Sequence, residues 1–405
     1  MASPSRASHP SVEARERPRV AILAKGGLGH NAHVRKSARS LHDAGFEVFV
    51  LGAKRRGLSG DPAWVQEDGF KLLVVPLPEA PHDVSRAAAR AADPYDLARY
   101  EAAWWPHVSA LEPDVVHAFD VAGLSVARRA GQLGARWIYE AHEATRHCTE
   151  EPRDDARRRQ VAEHAAHADG LIAFTADVGA IVAEELQPRR PPTLVHCAPP
   201  LEAGPAPPIG LRQAAEVERD TPLLVFSGLL TRRRRLDVVL EAMTQLPEVV
   251  LAVVASADDP LMEGLLARAD ALQVADRVRI CRKVPPESVV SYLAGADLGV
   301  IPYERSPAID ISLPNKLFEY LHAGLPIVTS DATATADFVS RHGLGEVAPL
   351  DDPGAWARAI EQALRPPRYR DRVGEWEALK AEWCWERQAE GLVALYRDVL
   401  RQRAA

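Results

Sequence analysis

Cysteine is scarce in this chain. Its four cysteines, at 148, 197, 281 and 384 of 405 residues, never fall into a C-x-x-C spacing. A disulfide framework and a structural zinc site are therefore disfavoured, and a reducing cytoplasm fits. Long apolar runs are absent too, so nothing reads as a bilayer-spanning helix, although peripheral contact with a membrane surface stays open. Residues 1–17 lack the apolar segment of a signal peptide and read as a disordered tail of Ser, Pro, Arg and Glu. Positive charge is not in excess: the net charge of -7 argues against a nucleic-acid binder. No D-x-D motif sits at a strand end, so a divalent metal is not demanded; Asp351-Asp352 reads as a helix cap. No residue stands out as a covalent nucleophile.

What remains is an ordinary globular composition, 47% apolar and 26% charged, in a chain long enough for two domains with separate cores. Short apolar runs alternate with amphipathic helical stretches, the pattern of an α/β protein with parallel sheets. Expected strands are 19–24, 47–51, 72–76, 115–117, 137–139 and 170–174 in the first half. In the second half they are 223–226, 250–254, 277–280, 298–301 and 327–329. Expected helices cover 33–44, 80–110, 154–168, 236–243, 355–364 and 386–402. Eight prolines between 188 and 208 mark a boundary, placed at 205/206.

Five segments carry chemistry; one of them, Tyr303 to Ser312, is a Pro- and Ser-containing loop before a helix N-terminus whose backbone N–H groups can donate to phosphate. The turn Lys25 to Gly29 follows a strand and precedes a helix, and Gly27, Gly29 and Ala32 formally fit a dinucleotide fingerprint. The second strand ends Leu51-Gly52-Ala53-Lys54 without the carboxylate that NAD requires. NAD is disfavoured, while Arg55 and Arg56 leave a thin NADP possibility. Tyr139 to Glu143 follows another strand, where His142 could orient a sugar hydroxyl or accept a proton, held by Glu140 and Glu143. Ser227 to Arg235 places four arginines after a strand and a glycine; Arg234 is the candidate to clamp a diphosphate, and the other arginines face solvent. Last comes Ser312 to Ser330. Asn315 and Glu319 lie one turn apart on a helix whose N-terminus attracts phosphate and whose carboxylate can accept from a ribose diol. Gly324 and Pro326 stop that helix before a buried strand.

Taken in order, these motifs resemble the retaining glycosyltransferases of family 4, and the resemblance runs from about residue 18 onward. It rests on the Gly26-Gly27 loop, the Tyr139–Glu143 segment, Gly228 to Arg234, and above all Pro314 to Pro326 (PNKLFEYLHAGLP). It implies the GT-B fold, two Rossmann-like domains facing across a cleft: 18–205 on the acceptor side and 206–385 for the donor, with a last helix, 386–405, packing back on the first domain. It implies a nucleoside-diphosphate sugar (UDP-, dTDP- or GDP-linked) as co-substrate, with no tightly bound cofactor and no required metal. The acceptor would be a small molecule, glycan or lipid-linked group.

Residue by residue, Gly26, Gly29 and His30 would face the acceptor. Gly27, Gly228, Arg234, Ser312, Leu313, Asn315, Lys316 and Glu319 would hold the donor. His142 and Arg234 would be catalytic. Many relatives carry a glutamate eight residues before the ribose-binding one; here that position is Ile311, and Asp310 or Ser312 would have to replace it. Arg235 stands where a glycine is usual, and Leu229 where an arginine often follows the first glycine. A nucleotide-sugar epimerase on the same fold and an inactive nucleotide-sugar-binding partner are the alternatives.

Overall fold

The computed structural model describes residues 16–26, 31–54, 61–78, 96–141, 153–256, 258–365 and 373–401. Two sheets organise it. The first runs β3-β4-β2-β1-β5-β6-β7-β8, with β1 at Arg19–Lys25, β2 at Glu47–Lys54, β3 at Val65–Gln66, β4 at Lys71–Pro76, β5 at Val115–Phe119, β6 at Arg136–Ala141, β7 at Gly170–Ala173 and β8 at Thr193–Leu194. All its pairings are parallel except β3 with β4. The second runs β11-β10-β9-β12-β13-β14, parallel throughout, with β9 at Leu223–Ser227, β10 at Val250–Val254, β11 at Val278–Cys281, β12 at Leu298–Ile301, β13 at Ile327–Ser330 and β14 at Gly345–Ala348.

The strands form where the sequence is continuously apolar, because helices cover both faces of a parallel sheet. β5, β7, β10, β12 and β13 are buried at every position. Each sheet reverses its strand order once, between β1 and β5 and between β9 and β12. Such reversals open a crevice at the carboxyl ends of the strands, where ligands of α/β folds bind.

The chain crosses between the two halves twice. Val195 packs in the first core and Ala198 in the second, so the first crossing lies near His196, ahead of the expected 205/206 and inside the proline-rich stretch. The return comes after Leu379, which belongs to the second core; Trp385 already belongs to the first. The crossings are tied to each other: the Trp385 amide donates to Pro199 O (2.7 Å) and the His196 amide to the Gln388 side chain (3.0 Å). The last helix, Trp385–Arg401, lays Leu392, Leu395, Tyr396 and Val399 on the face of the first sheet also covered by Val34, Ala38 and Leu41. Among the described residues no helix is long and apolar enough to cross a membrane.

Candidate functional site at the crevice of the second sheet

The carboxyl end of β9 leads into Gly228, whose φ of +126° is a conformation that side chains rarely adopt. A Cβ there would lie 3.1 Å from Arg234 Nη1 and 3.6 Å from Lys316 Nζ. The absent side chain therefore lets two cations reach the backbone at the sheet's reversal point. Arg234 is half-buried in the single turn Arg232–Arg234; its Nη1 donates to Leu229 O (2.5 Å), and its guanidinium carbon lies 5.3 Å from the centre of the Tyr303 ring. Arg232 and Arg233 are exposed, and Arg235 is occupied by Asp237 at 2.7 Å. Of the four arginines, Arg234 is the one that stands beside Gly228 and Lys316.

The helix Asn315–Ala323 begins at Pro314, which supplies no side-chain cap; the Leu317 amide turns back to Pro314 O (2.9 Å), and the Asn315 and Lys316 amides ahead of it have no side-chain cap. The helix is anchored from beneath. Tyr320 Oη accepts from the Ser227 amide and donates to Val225 O, both at 3.1 Å. Gly299 makes this packing available, since a Cβ there would fall 2.3 Å from Tyr320 Cδ2. With that face fixed, Lys316 turns inward. Its side chain is 5% exposed, its ammonium lies 3.5 Å from the centre of the Phe226 ring, and Nζ has no hydrogen-bond partner among the described residues. Burial, and then the neighbouring Arg234 charge, push the Lys316 pKa well below its ordinary value, with Glu319 pulling weakly the other way. Burial pushes the Glu319 carboxyl up, against Lys316 on its own helix and Lys36 from the first domain. Burial also raises Tyr303 to about 12, so its hydroxyl stays neutral.

The loop ahead of this helix meets the first domain. A cavity of about 150 Å³ opens there, lined by Thr175, His196, Cys197, Ser312, Leu313 and Asn315 among others. Ser312 Oγ donates to Ala308 O (2.5 Å), and Asn315 is exposed at the rim. The Asp310 carboxylate is already engaged: Arg305 approaches to 3.2 Å, and the Thr333 amide donates to it at 3.1 Å, opening the helix Thr333–His342. Ile311 packs on the first core, and its carbonyl accepts from Thr175 Oγ1 at 2.9 Å. Asp352 accepts from the Ala355 amide (2.8 Å), a cap on the helix Pro353–Leu364.

On the acceptor side, Gly26 follows β1 with φ +93° and donates its amide to Ala53 O (3.0 Å). Gly27, Gly29, His30 and His142, with Glu143, lie outside the described residues. Of the expected Glu140–His142 pair, only Glu140 is among the described residues. Glu140 is wholly buried on β6, where its carboxylate pairs with His33 Nε2 (2.8 Å) and His117 Nε2 (3.0 Å), and Tyr396 Oη meets His117 Nδ1 at 2.7 Å. Strand alternation turns Glu140 into the sheet's covered face. Burial opposes a charge on His33, but Glu140 and the Cys197 thiol outweigh it and raise its pKa to about 9. Burial lowers His196 to about 4, with His33 adding to the effect, so His196 is neutral.

Residues 29–200 match the family described as "Glycosyl transferase 4-like domain", and residues 221–366 match "Glycosyl transferases group 1". The chain belongs to glycosyltransferase family 4. Similar curated proteins include the D-inositol 3-phosphate glycosyltransferase of Thermobifida fusca, 30% identical over 201 residues, 45% of this chain and 44% of that protein. Another is the GDP-mannose-dependent alpha-(1-6)-phosphatidylinositol monomannoside mannosyltransferase of Mycolicibacterium smegmatis, 27% identical over 186 residues, 44% of this chain and 48% of that protein. The aligned part of the chain spans just under half the length of these relatives. Among solved structures, sucrose-phosphate synthase from Thermosynechococcus elongatus superposes with a TM-score of 0.77 at 19% identity, covering 95% of this chain and 100% of that one. The fold is GT-B, two parallel-sheet α/β domains.

Within this family 4 chain, the sequence reading brought together Gly228, Arg234, Lys316 and Glu319, and the structure places them at one crevice. It took Tyr303 only as the start of a phosphate-facing loop and overlooked its ring and that of Phe226 beside the Lys316 ammonium; it also overlooked Thr175 and Cys197, which line the cavity, and Lys36, whose charge acts on Glu319. A strand-end position was the available signal for Phe226 and Tyr303. The first-domain residues carry no motif of their own; only the packing of the two halves puts them there.

Proposed function

We propose that this chain transfers a sugar from a nucleoside-diphosphate sugar to an acceptor hydroxyl, with retention at the anomeric carbon. The observation that carries the reading is the Lys316 ammonium, buried without a hydrogen-bond partner among the described residues and beside Arg234, Gly228 and an uncapped helix N-terminus. A buried unpaired charge is costly and is retained where a ligand supplies its counter-charge. A diphosphate fits that place in charge and in hydrogen-bond demand. Glu319, one turn on, would accept from the ribose hydroxyls.

In the reaction, the bond from the anomeric carbon to the diphosphate oxygen breaks and the acceptor oxygen bonds to the same face of that carbon. The acceptor proton passes to the leaving diphosphate. Arg234, Lys316 and the helix amides stabilise the charge developing on that leaving group, an effect typically worth several kcal/mol. His142 would orient the sugar. Asp310 is a weaker candidate for the sugar end, because Arg305 and Thr333 already hold its carboxylate. The epimerase reading calls for a first-domain carboxylate open to substrate, and Glu140 is buried and paired instead.

The relatives' names point to GDP-mannose and to inositol phosphates as first donors and acceptors to try. The test is a screen of UDP-, dTDP- and GDP-sugars with polyol, polyol-phosphate and lipid-linked acceptors, with the product's anomeric configuration read by NMR. Transfer with retention is expected. Turnover of a nucleotide sugar without acceptor to its epimer, or binding with no transfer to any acceptor, would sink the reading.

A further inference from the structure

Thr175 joins the two domains at the loop that feeds the donor helix. It follows β7, is 5% exposed, and spends its hydroxyl twice. As an acceptor, Oγ1 takes the Val178 amide at 3.1 Å and caps the helix Ala176–Leu186. As a donor, it gives its proton to the carbonyl of Ile311 at 2.9 Å, across 136 residues of sequence and from one domain to the other. A hydroxyl has one proton and two lone pairs, so both bonds coexist only in this arrangement.

The receiving loop is set from both sides. The Ile311 side chain packs on the first core, while Thr335 Oγ1 reaches Ser312 O at 3.4 Å from the second domain. Pro314 and the uncapped start of Asn315–Ala323 follow directly. Moving the domains apart would break the Thr175 bond, expose Ile311, and free the segment that aims Lys316 and the helix amides.

We propose that Thr175 is a positioning residue: its bond to Ile311 O holds the donor helix in register with the closed cleft, so that closure and diphosphate binding reinforce each other. This rests on the functional reading above, and two kinds of measurement separate the two ideas.

The variants are Thr175→Val, which keeps the shape and removes both bonds, Thr175→Asp, which keeps an acceptor for the Val178 cap and has no proton to give, and Thr175→Ser, which keeps both. Small-angle scattering of the ligand-free proteins reads closure without reference to activity. T175V and T175D are expected to show a larger radius of gyration than wild type and T175S. Calorimetric titration with UDP and GDP is expected to show about 3- to 10-fold weaker binding for T175V and T175D, the loss typical of one hydrogen bond. The donor KM is expected to rise by the same factor with kcat less affected, and T175S to restore both. Wild-type compactness and nucleotide affinity in T175D, with its helix cap intact, would overturn the proposal even if T175V failed to fold. Opening of T175D in a protein that transfers no sugar would uphold the latch and overturn the functional reading.

Discussion

The Lys316 ammonium sits 3.5 Å from the centre of the Phe226 ring, with the Tyr303 ring 5.2 Å away and no hydrogen-bond partner among the described residues. Ring faces attract a cation, yet they do not replace three lost hydrogen bonds to water. The charged form of Lys316 is thus incompletely compensated in the free protein, and a diphosphate would complete its partners.

Replacing Lys316 should separate stability from binding. Lys316→Met keeps the length of the side chain and removes the charge. The ligand-free protein is expected to melt at a higher temperature, because methionine fills the same space without burying an amine that has no hydrogen-bond partner among the described residues. Affinity for a nucleoside diphosphate should fall at least ~10-fold, about 1.4 kcal/mol. Calorimetry and thermal melts check both; a lower melting temperature with unchanged affinity contradicts the assignment.

Proton uptake should accompany binding. Lys316 has a pKa well below the ordinary lysine value in the free protein, and a diphosphate beside it would favour the charged form and raise that pKa. The diphosphate itself is fully ionised by pH 8, its second pKa being near ~6. Titrations at a series of pH values from 8 upward, in buffers of different ionisation enthalpy, should therefore show protons taken up by wild type and not by K316M in the window between the free and the bound Lys316 pKa. Proton release, or no dependence on buffer, would count against a depressed Lys316.

The arginine run should divide sharply. Arg234→Ala is expected to weaken nucleoside-diphosphate binding and transfer by ~10-fold or more, since it removes a charged hydrogen-bond donor worth ~1.5–3 kcal/mol. Arg232→Ala and Arg233→Ala, both exposed, should change kinetics by less than about twofold. Equal losses at all three positions would mean that the run acts as a diffuse basic patch.

Glu319 should report on the ribose. Glu319→Ala is expected to erase the preference for a ribonucleoside diphosphate over its 2′-deoxy analogue. A preserved preference would place the sugar of the nucleotide elsewhere.

The Glu140 cluster should govern stability between neutral and mildly alkaline pH. His33 has a folded pKa of about 9, above the 6.5 of the unfolded chain, so its contribution is fully present below 6.5 and is lost as pH rises through 9. Glu140→Gln leaves two buried histidines without their carboxylate and should cost ~3 kcal/mol. Its melting temperature should also fall less steeply between pH 6.5 and 9 than that of wild type. A parallel pH profile in the two proteins would remove His33 from this role.

Much of the fold was legible because continuous apolar runs and glycine or proline stops are local signals. β1, β2, β9, β10 and β12 lie where those runs predict them. β14 and the helix Thr333–His342 were not legible. β14 is a four-residue edge strand, Gly345–Ala348, with one buried position, and Thr333–His342 opens on Thr and Ala with no side-chain cap of its own. The Thr333 amide takes its acceptor from Asp310 in a different element, a contact that no sequence window contains.

By itself the sequence determined the donor motif, its helix and its stop, because Asn315, Lys316, Glu319 and Gly324 act through spacing within a few turns. The position after a strand and a glycine pointed to the run Arg232 to Arg235, and the resemblance to family 4 singled out Arg234 within it. Only the tertiary structure decided that Lys316 is buried against Phe226 without a hydrogen-bond partner among the described residues, that Glu140 pairs with His33 and His117, and that the Ile311 carbonyl accepts from Thr175 of the other domain. Those outcomes depend on burial and on pairs of groups up to 136 residues apart. Periodicity and spacing report which face of an element is apolar; they do not report which element will lie against it.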